Sequence, residues 1–323
     1  LLLVSSCLLT GCTTSSAKKV DSKYVVASLE KGNKTKNIFA DNLYKDIIDN
    51  SSNNSTVFNA VLQNLVDQKF PVNDDMKEDA ATIIKQIKSA YKSNYGDNYK
   101  DSLNQALTSA GYKNLSEYRQ RMIKQIQYAN FLLDYIDDHF DDVFNDYYQQ
   151  CAPKYVSLIK ISVSDTSSLT DDENSKINEV KELISNTDKS FGDIAQDYSD
   201  DSTSSKKGSL GIVDSKDTSG IANSYGKDVF NAIEALSEGQ VSDAIAGTDG
   251  YYFVKVTNTN KKALKKELKK TDIDSPLLAY DDYLQYVVYN SYKINYKDKD
   301  IKKIVQEVVN KALEERKTER GEA

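Results

Sequence analysis

Ser190-Phe191-Gly192-Asp193-Ile194-Ala195-Gln196-Asp197-Tyr198-Ser199, followed after a polar loop by Lys207-Gly208-Ser209-Leu210-Gly211, is the stretch on which the fold turns. Ser190, three residues ahead of Asp193, has helix-capping chemistry, so a helix carrying Ile194, Ala195 and Tyr198 is expected to start there. Asp200 to Lys207 is too polar to be more than a loop, and Gly208 to Val213 reads as a short strand. Upstream, Tyr155 to Val163 is β-branched and aliphatic, a strand, and Ile177, Val180 and Ile184 mark a helix. Downstream, Asp228 to Leu236 reads as a helix that stops before Gly239. Gly247-Thr248-Asp249-Gly250 is a turn, and Tyr251 to Val256 a closing strand. The order β-α-α-β-α-β over residues 153–258 predicts a compact α+β domain with its own core.

Outside that segment helical spacing dominates. Tyr24 to Leu29, ahead of Gly32, reads as one short strand and a turn. Val57, Phe58, Val61, Leu62, Leu65 and Val66 then form an apolar stripe, preceded by a loop at Asp49 to Asn54. Asn114 with Glu117 has capping-box chemistry ahead of a stripe through Tyr118, Met122, Ile126, Ala129, Leu133, Ile136 and Phe140. Near the end, Leu277, Leu284, Val287 and Val288 form one stripe, and Ile301, Ile304, Val305, Val308, Val309, Ala312 and Leu313 another. The last of these must bury its apolar face, and the N-terminal helices offer the nearest unsatisfied partner; docking on a membrane surface through its lysines ranks second, because acids interleave with them. The expected fold class is therefore α+β. A discontinuous all-helical domain, residues 22–150 and 271–316, holds the α+β domain 153–258 as an insert, with 259–270 as linker and 317–323 as a flexible tail. Helices that frame so little sheet can leave apolar surface open for binding.

Leu9-Thr10-Gly11-Cys12 closes a short apolar run and reads as a lipoprotein signal. Residues 1–11 are the signal remnant, Cys12 is the lipid acceptor, and residues 12–21 are a tether. The chain begins at Leu1 with neither Met nor basic residues, so basic residues are expected upstream. This places the protein outside the cytoplasm, lipid-anchored to the outer face of the cell membrane. Cys7 lies in the signal, which leaves Cys151 as the one mature thiol, expected half-buried, and no internal disulfide. His139 is the sole histidine. The acids around it, Asp137, Asp138, Asp141 and Asp142, sit on what reads as a continuous helix and point around it, so no metal site is expected. One histidine also leaves no zinc site that needs two imidazoles and little room for Ser-His-Asp or Cys-His catalysis. No phosphate-binding or dinucleotide motif is present, and a net charge of -7 gives no electrostatic case for nucleic acid; no cofactor is expected.

The phrases F-x-x-x-A-x-x-Y-S (191–199), K-G-x-L-G (207–211) and L-x-x-G-x-V-S (236–242), between Tyr155–Lys160 and Gly250–Val256, resemble a parvulin-type peptidyl-prolyl isomerase domain. With the lipid signal and flanking helices, the chain resembles foldase lipoproteins of the PrsA type, with a helical frame similar to that of the chaperone SurA. The resemblance implies a membrane-anchored foldase for newly secreted or unfolded proteins, with a homodimer as a further partner state. It also implies isomerisation of X–Pro bonds, which requires breaking amide resonance against ~18–20 kcal/mol. In this family the ring of proline sits in an apolar cup, whose positions fall here at Ile221, Tyr225 and Phe230. The loop Cys-or-Asp position falls at Asp201, the candidate catalytic residue. The two family histidines fall at Leu158 and Tyr252, so activity is expected to be weak or lost. Two other readings stay open: an active isomerase, and a surface lipoprotein that binds wall polymer or a host ligand through some of its 22 tyrosines.

Overall fold

The computed structural model describes residues 19–31, 34–270 and 272–322. The signal remnant, Cys12 and most of the tether lie outside the described residues. The chain divides into two compact units: Leu133–Asp282, and the residues before it together with those from Tyr283 onward.

The split unit starts with β1 (Lys19–Val20), β2 (Lys23–Lys31) and β3 (Lys34–Phe39), an antiparallel sheet in the order β1-β2-β3. The unit is thus mainly rather than entirely helical, and the end of the expected tether is strand. Four helices follow, α1 (Ala40–Ile48), α2 (Asn54–Lys69), α3 (Asp74–Tyr95) and α4 (Tyr99–Ser109), and then α5 (Leu115–Asp138), inside which the division between the units falls. The capping chemistry read at Asn114 is present: its Oδ1 accepts from the Glu117 amide at 2.9 Å, while Glu117 reaches the amide of Lys113 at 2.8 Å. Val57, Phe58, Leu62 and Val66 of α2 are buried, with Val61 and Leu65 half-buried.

The second unit includes the end of α5, α6 (Phe140–Cys151), β4 (Lys154–Ser162), α7 (Asp171–Asn186), α8 (Phe191–Tyr198) and β5 (Ser209–Val213). It continues with α9 (Ile221–Tyr225), α10 (Lys227–Ala235), β6 (Ile245–Ala246), β7 (Gly250–Asn258) and α11 (Lys261–Leu268). Helix α9 and strand β6 add to the expected β-α-α-β-α-β order. The helix expected to be continuous around His139 breaks there, and the imidazole stacks on Tyr135 with centroids 4.1 Å apart. Cys151 is wholly buried rather than half-buried. Residues 259–270, expected as linker, contain α11 with Leu264 and Leu268 buried.

The sheet order is β5-β4-β7-β6, antiparallel throughout, with Leu158 opposite Val254 and Lys160 opposite Tyr252. Strand alternation sends Ile159, Ile161 and Phe253 under α7 and α8, and Val156, Leu158, Tyr252 and Val254 under α9 and α10. Both faces are covered, which is why Val156 to Ile159 of β4 are buried in succession. Two buried polar anchors fix the second face. Asp214, wholly buried at the end of β5, accepts hydrogen bonds from the Tyr147 hydroxyl at 2.8 Å, the Lys216 amide at 3.0 Å and the Thr218 hydroxyl. Lys154, at the start of β4, donates to the carbonyls of Ile233, Glu234 and Leu236 at 3.0, 2.9 and 3.3 Å and so caps α10. Its ammonium also lies 3.8 Å from the Glu234 carboxylate, whose pKa burial pushes up. Lys154→Met is expected to lower stability by about 2 kcal/mol, because a charged donor leaves several carbonyls at once. A urea-unfolding midpoint unchanged from the parent would contradict that role.

The chain returns to the split unit with α12 (Leu284–Ser291) and α13 (Lys299–Glu319). Helix α13 occupies the start of the expected tail and packs on α2, burying Ile304, Val305, Val309 and Ala312. Phe58 of α2 stacks on Tyr286 at 5.0 Å and meets Tyr289 edge-on at 5.1 Å, while Phe131 stacks on Tyr292 at 5.6 Å.

Candidate functional site

The α9/α10 face of the sheet carries the positions singled out from the sequence as site residues in the inserted domain, except Asp201, which lies in the loop after α8. Leu158 and Tyr252 come from the two central strands. Ile221 heads α9, Tyr225 ends it, and Phe230 sits on α10. Leu158 and Ile221 are buried, whereas Tyr225 and Phe230 are half-buried and form the rim with Leu210 and Ile245. These side chains pack together as one apolar cluster, whose buried part is aliphatic except for Tyr252 where a polar pair was sought. Leu158 is fully enclosed and contributes only packing.

The polar groups at the cup lie in two arms. In one, the Tyr252 hydroxyl donates to Asp249 Oδ1, and Lys160 Nζ reaches Asp249 Oδ2 at 2.5 Å. Burial, then the Asp249 carboxylate, pushes the Tyr252 phenol well above its ordinary range. In the other, Tyr225 meets Tyr252 edge-on with centroids 5.6 Å apart, and the Asp201 carboxylate faces its phenol. Burial first, then Asp201, raises the Tyr225 pKa. Asp201 is not the lone solvated carboxylate that its loop position suggests. Its Oδ1 accepts from the Thr203 amide at 2.8 Å and hydroxyl at 2.6 Å, which caps the turn Ser202–Lys206.

Each phenol is protonated at neutral pH, and that of Tyr252 spends its proton on Asp249. Such an apolar surface suits a ring, and the Tyr252 hydroxyl is not free to donate to a substrate carbonyl. The turn behind it is closely fitted. A Cβ at Gly247 would lie 2.4 Å from the Tyr252 ring, and the Thr248 amide ties to the Tyr225 carbonyl at 2.9 Å. Asp249, Lys160, Leu210 and Ile245 were not singled out from the sequence as site residues. Asp249 carried only a turn signal there, and its pairing with Lys160 depends on strand register. His139 lies outside this site, and among the described residues no cluster of His, Cys, Asp or Glu could hold a metal.

The Asp249 carboxyl is held below its ordinary range, first by Lys160 and then by Tyr252, with burial opposing. A depressed folded-state pKa favours the ionised form on folding. Its stabilisation is therefore complete above the unfolded value near ~3.9 and is lost as pH falls through the folded value. The urea midpoint is expected to drop on acidification below about pH 4, and Asp249→Asn to remove part of that drop. Parallel pH profiles for parent and variant would contradict the linkage.

Comparison with known proteins bears on the same segment. Residues 158–258 match the family model described as Rotamase: PPIC-type PPIASE domain. Foldase protein PrsA of Staphylococcus aureus strain bovine RF122 / ET3-1 is 31% identical over 159 residues, covering 47% of this chain and 47% of the relative. The protein of the same name from strain Newman is 30% identical over 159 residues, again covering 47% of each. The chain thus spans about half the length of the curated relatives it matches. Among solved structures, foldase protein PrsA from Streptococcus pneumoniae str. Canada MDR_19A is 19% identical, covering 87% of this chain and 99% of that one, with a TM-score of 0.42. PrsA from Bacillus subtilis is 22% identical, covering 87% and 98%, with a TM-score of 0.39. Residues 158–258 therefore form a PPIC-type rotamase domain, and over about half its length the chain resembles the PrsA foldases.

Proposed function

We propose that this chain is an extracytoplasmic foldase that acts as a chaperone for newly secreted proteins, with a rotamase domain that binds proline-containing segments and turns them over weakly or not at all. The observation that carries the reading is the apolar cluster itself. Its half-buried members, Ile245, Tyr225 and Phe230 among them, suit a proline ring, while Leu158 supplies no polar group and the Tyr252 phenol is committed to Asp249. Isomerisation without covalent chemistry depends on favouring the twisted amide over the planar one, and that preference needs a donor or a well-shaped dry pocket. Here the positioned donor pair is missing and only the apolar surface remains.

The holding function falls to the split unit. Tyr24, Val26, Ile38, Leu43, Tyr44 and Ile47, all on β2, β3 and α1, are 40–50% exposed, a concentration of large apolar side chains on one short segment. No helix among the described residues is long and apolar enough to cross a membrane, and the proposed attachment is by lipid on Cys12. Asp201 keeps a place in the proposal as a positioning group for Tyr225, with Ile221, Tyr225 and Phe230 as the substrate cup; the division of labour between domains 22–150 with 271–316 and 153–258 is part of the same proposal.

Residues 13–323 are expected to suppress aggregation of an unfolded secreted protein. In a protease-coupled proline-peptide assay they should fall far below the ordinary enzyme efficiencies of roughly 10⁴–10⁸ M⁻¹ s⁻¹. An efficiency within that range would establish an active isomerase instead, and failure to protect any unfolded client would remove the chaperone reading. Cys12→Ser is expected to release the protein from the cell surface into the medium; retention of the variant would reject the lipid anchor.

A further inference from the structure

On the opposite face of the rotamase sheet from the proline cup lies a cleft of about 330 Å³ between β4, β7, the start of α8 and the turn into β5. Strand alternation places Ser157 and Lys255 there, directly opposite each other in register. Lys206 and Lys207 close it from the turn, and Phe191 and Gly192 bring the first turn of α8. Ser157 is 9% exposed, lines the cleft, and its hydroxyl has no hydrogen-bond partner among the described residues. The hydroxyl opens onto the cleft, where a ligand could accept from it or donate to it.

The charges are of one sign. Lys207 is neutralised by Asp193 at 2.8 Å, and Asp193 also accepts from the Ser190 hydroxyl at 2.7 Å, so both oxygens of that acid are engaged. Lys206 and Lys255 have no carboxylate partner among the described residues. Two unneutralised ammonium groups, a free hydroxyl and the leading amides of a helix thus converge on one small volume in a chain whose net charge is -7. Helix N-termini favour anions, and ammonium groups bind phosphoryl oxygens as point charges.

We propose that this cleft is a binding site for a phosphoryl group, separate from the proline cup. Donors approaching from the strand floor, from the turn and from the helix end suit an anion with oxygens in several directions better than a flat carboxylate. The volume leaves room for a small substituent on the phosphorus as well as for the free anion.

The test is a titration of residues 13–323 with inorganic phosphate at constant ionic strength, following backbone amide resonances, with dimethyl phosphate as a second probe. Saturable shifts are expected at Ser157, Phe191, Gly192 and Ser209, with half-saturation on the order of millimolar for so open a site. Lys206→Gln with Lys255→Gln should weaken binding roughly tenfold, and Ser157→Val should weaken it at an unchanged unfolding midpoint. A response to dimethyl phosphate at the same amides assigns the site to phosphodiesters; a response to inorganic phosphate alone assigns it to the free anion or a monoester. Shifts that never saturate, or that survive unchanged in the folded double-lysine variant, overturn the proposal.

Discussion

Gly208→Ala is expected to destabilise the rotamase domain by about 3 kcal/mol or more, enough to unfold a domain of ordinary stability in mild denaturant. Gly208 has φ of +75°, and a Cβ there would sit 2.3 Å from the Leu158 carbonyl oxygen and 2.9 Å from Ala195 Cβ. Neither neighbour can yield. Leu158 is wholly buried in the central strand, and its amide donates to the Gly208 carbonyl at 2.8 Å. Ala195 belongs to the buried side of α8. The chain must therefore run at this point as a bare backbone pressed between strand and helix. Gly211 supplies an internal control: its φ is +80°, yet a Cβ would meet nothing within 4 Å. Gly211→Ala should cost only the left-handed backbone penalty, about 1 kcal/mol. Equal shifts in urea midpoint for the two variants would show that crowding at Gly208 contributes nothing.

That pair also marks what the sequence makes legible. K-G-x-L-G stands out as a motif because its glycines punctuate a polar loop, and both take positive φ. Helix starts were readable where a side chain caps locally, as at Asn114 and Ser190, and strands where β-branched residues run together, as in β4 and β7. What escaped has physical reasons of its own. Helix α11 looks like a linker because five of its eight residues, Lys261-Lys262, Lys265-Lys266 and Glu267, are charged, and its two leucines alone decide burial. The break at His139 carries no Gly or Pro, so nothing local announces it. Strand β3 is polar along most of its length and is defined by pairing with β2 rather than by its own composition. The cup residues could be placed because each lies on a recognisable strand or helix. Their polar partners could not: Lys160 and Asp249 stand 89 residues apart, and only the strand register brings them together.

Leu158→His combined with Tyr252→His is expected to raise proline-isomerase efficiency by roughly tens to a thousandfold, the range set by one positioned hydrogen-bonding group worth ~2–4 kcal/mol. The register supports the pairing. Leu158 faces Val254 and Tyr252 faces Lys160, so positions 158 and 252 are diagonal neighbours on one face, within reach of long or aromatic side chains. The double change also frees Asp249 from the phenol, and Asp249 remains charged beside Lys160 to orient an imidazole at position 252. The cost lies in the floor of the cup. Leu158 is fully buried, so Leu158→His by itself places an unpaired polar ring in the core at about 1–3 kcal/mol, and the double variant must be shown to be folded by its unfolding midpoint before rates are compared. Tyr252→Phe separates the two roles of the phenol. Its hydroxyl donates to Asp249 and not into the cup, so the parent's residual rate should stay within about twofold while the Asp249 contribution to acid stability shrinks. A fall of tenfold in Tyr252→Phe would make the phenol a catalytic donor after all. A folded double-histidine variant with no gain would show that the weakness lies in the shape of the cup and not in its missing imidazoles.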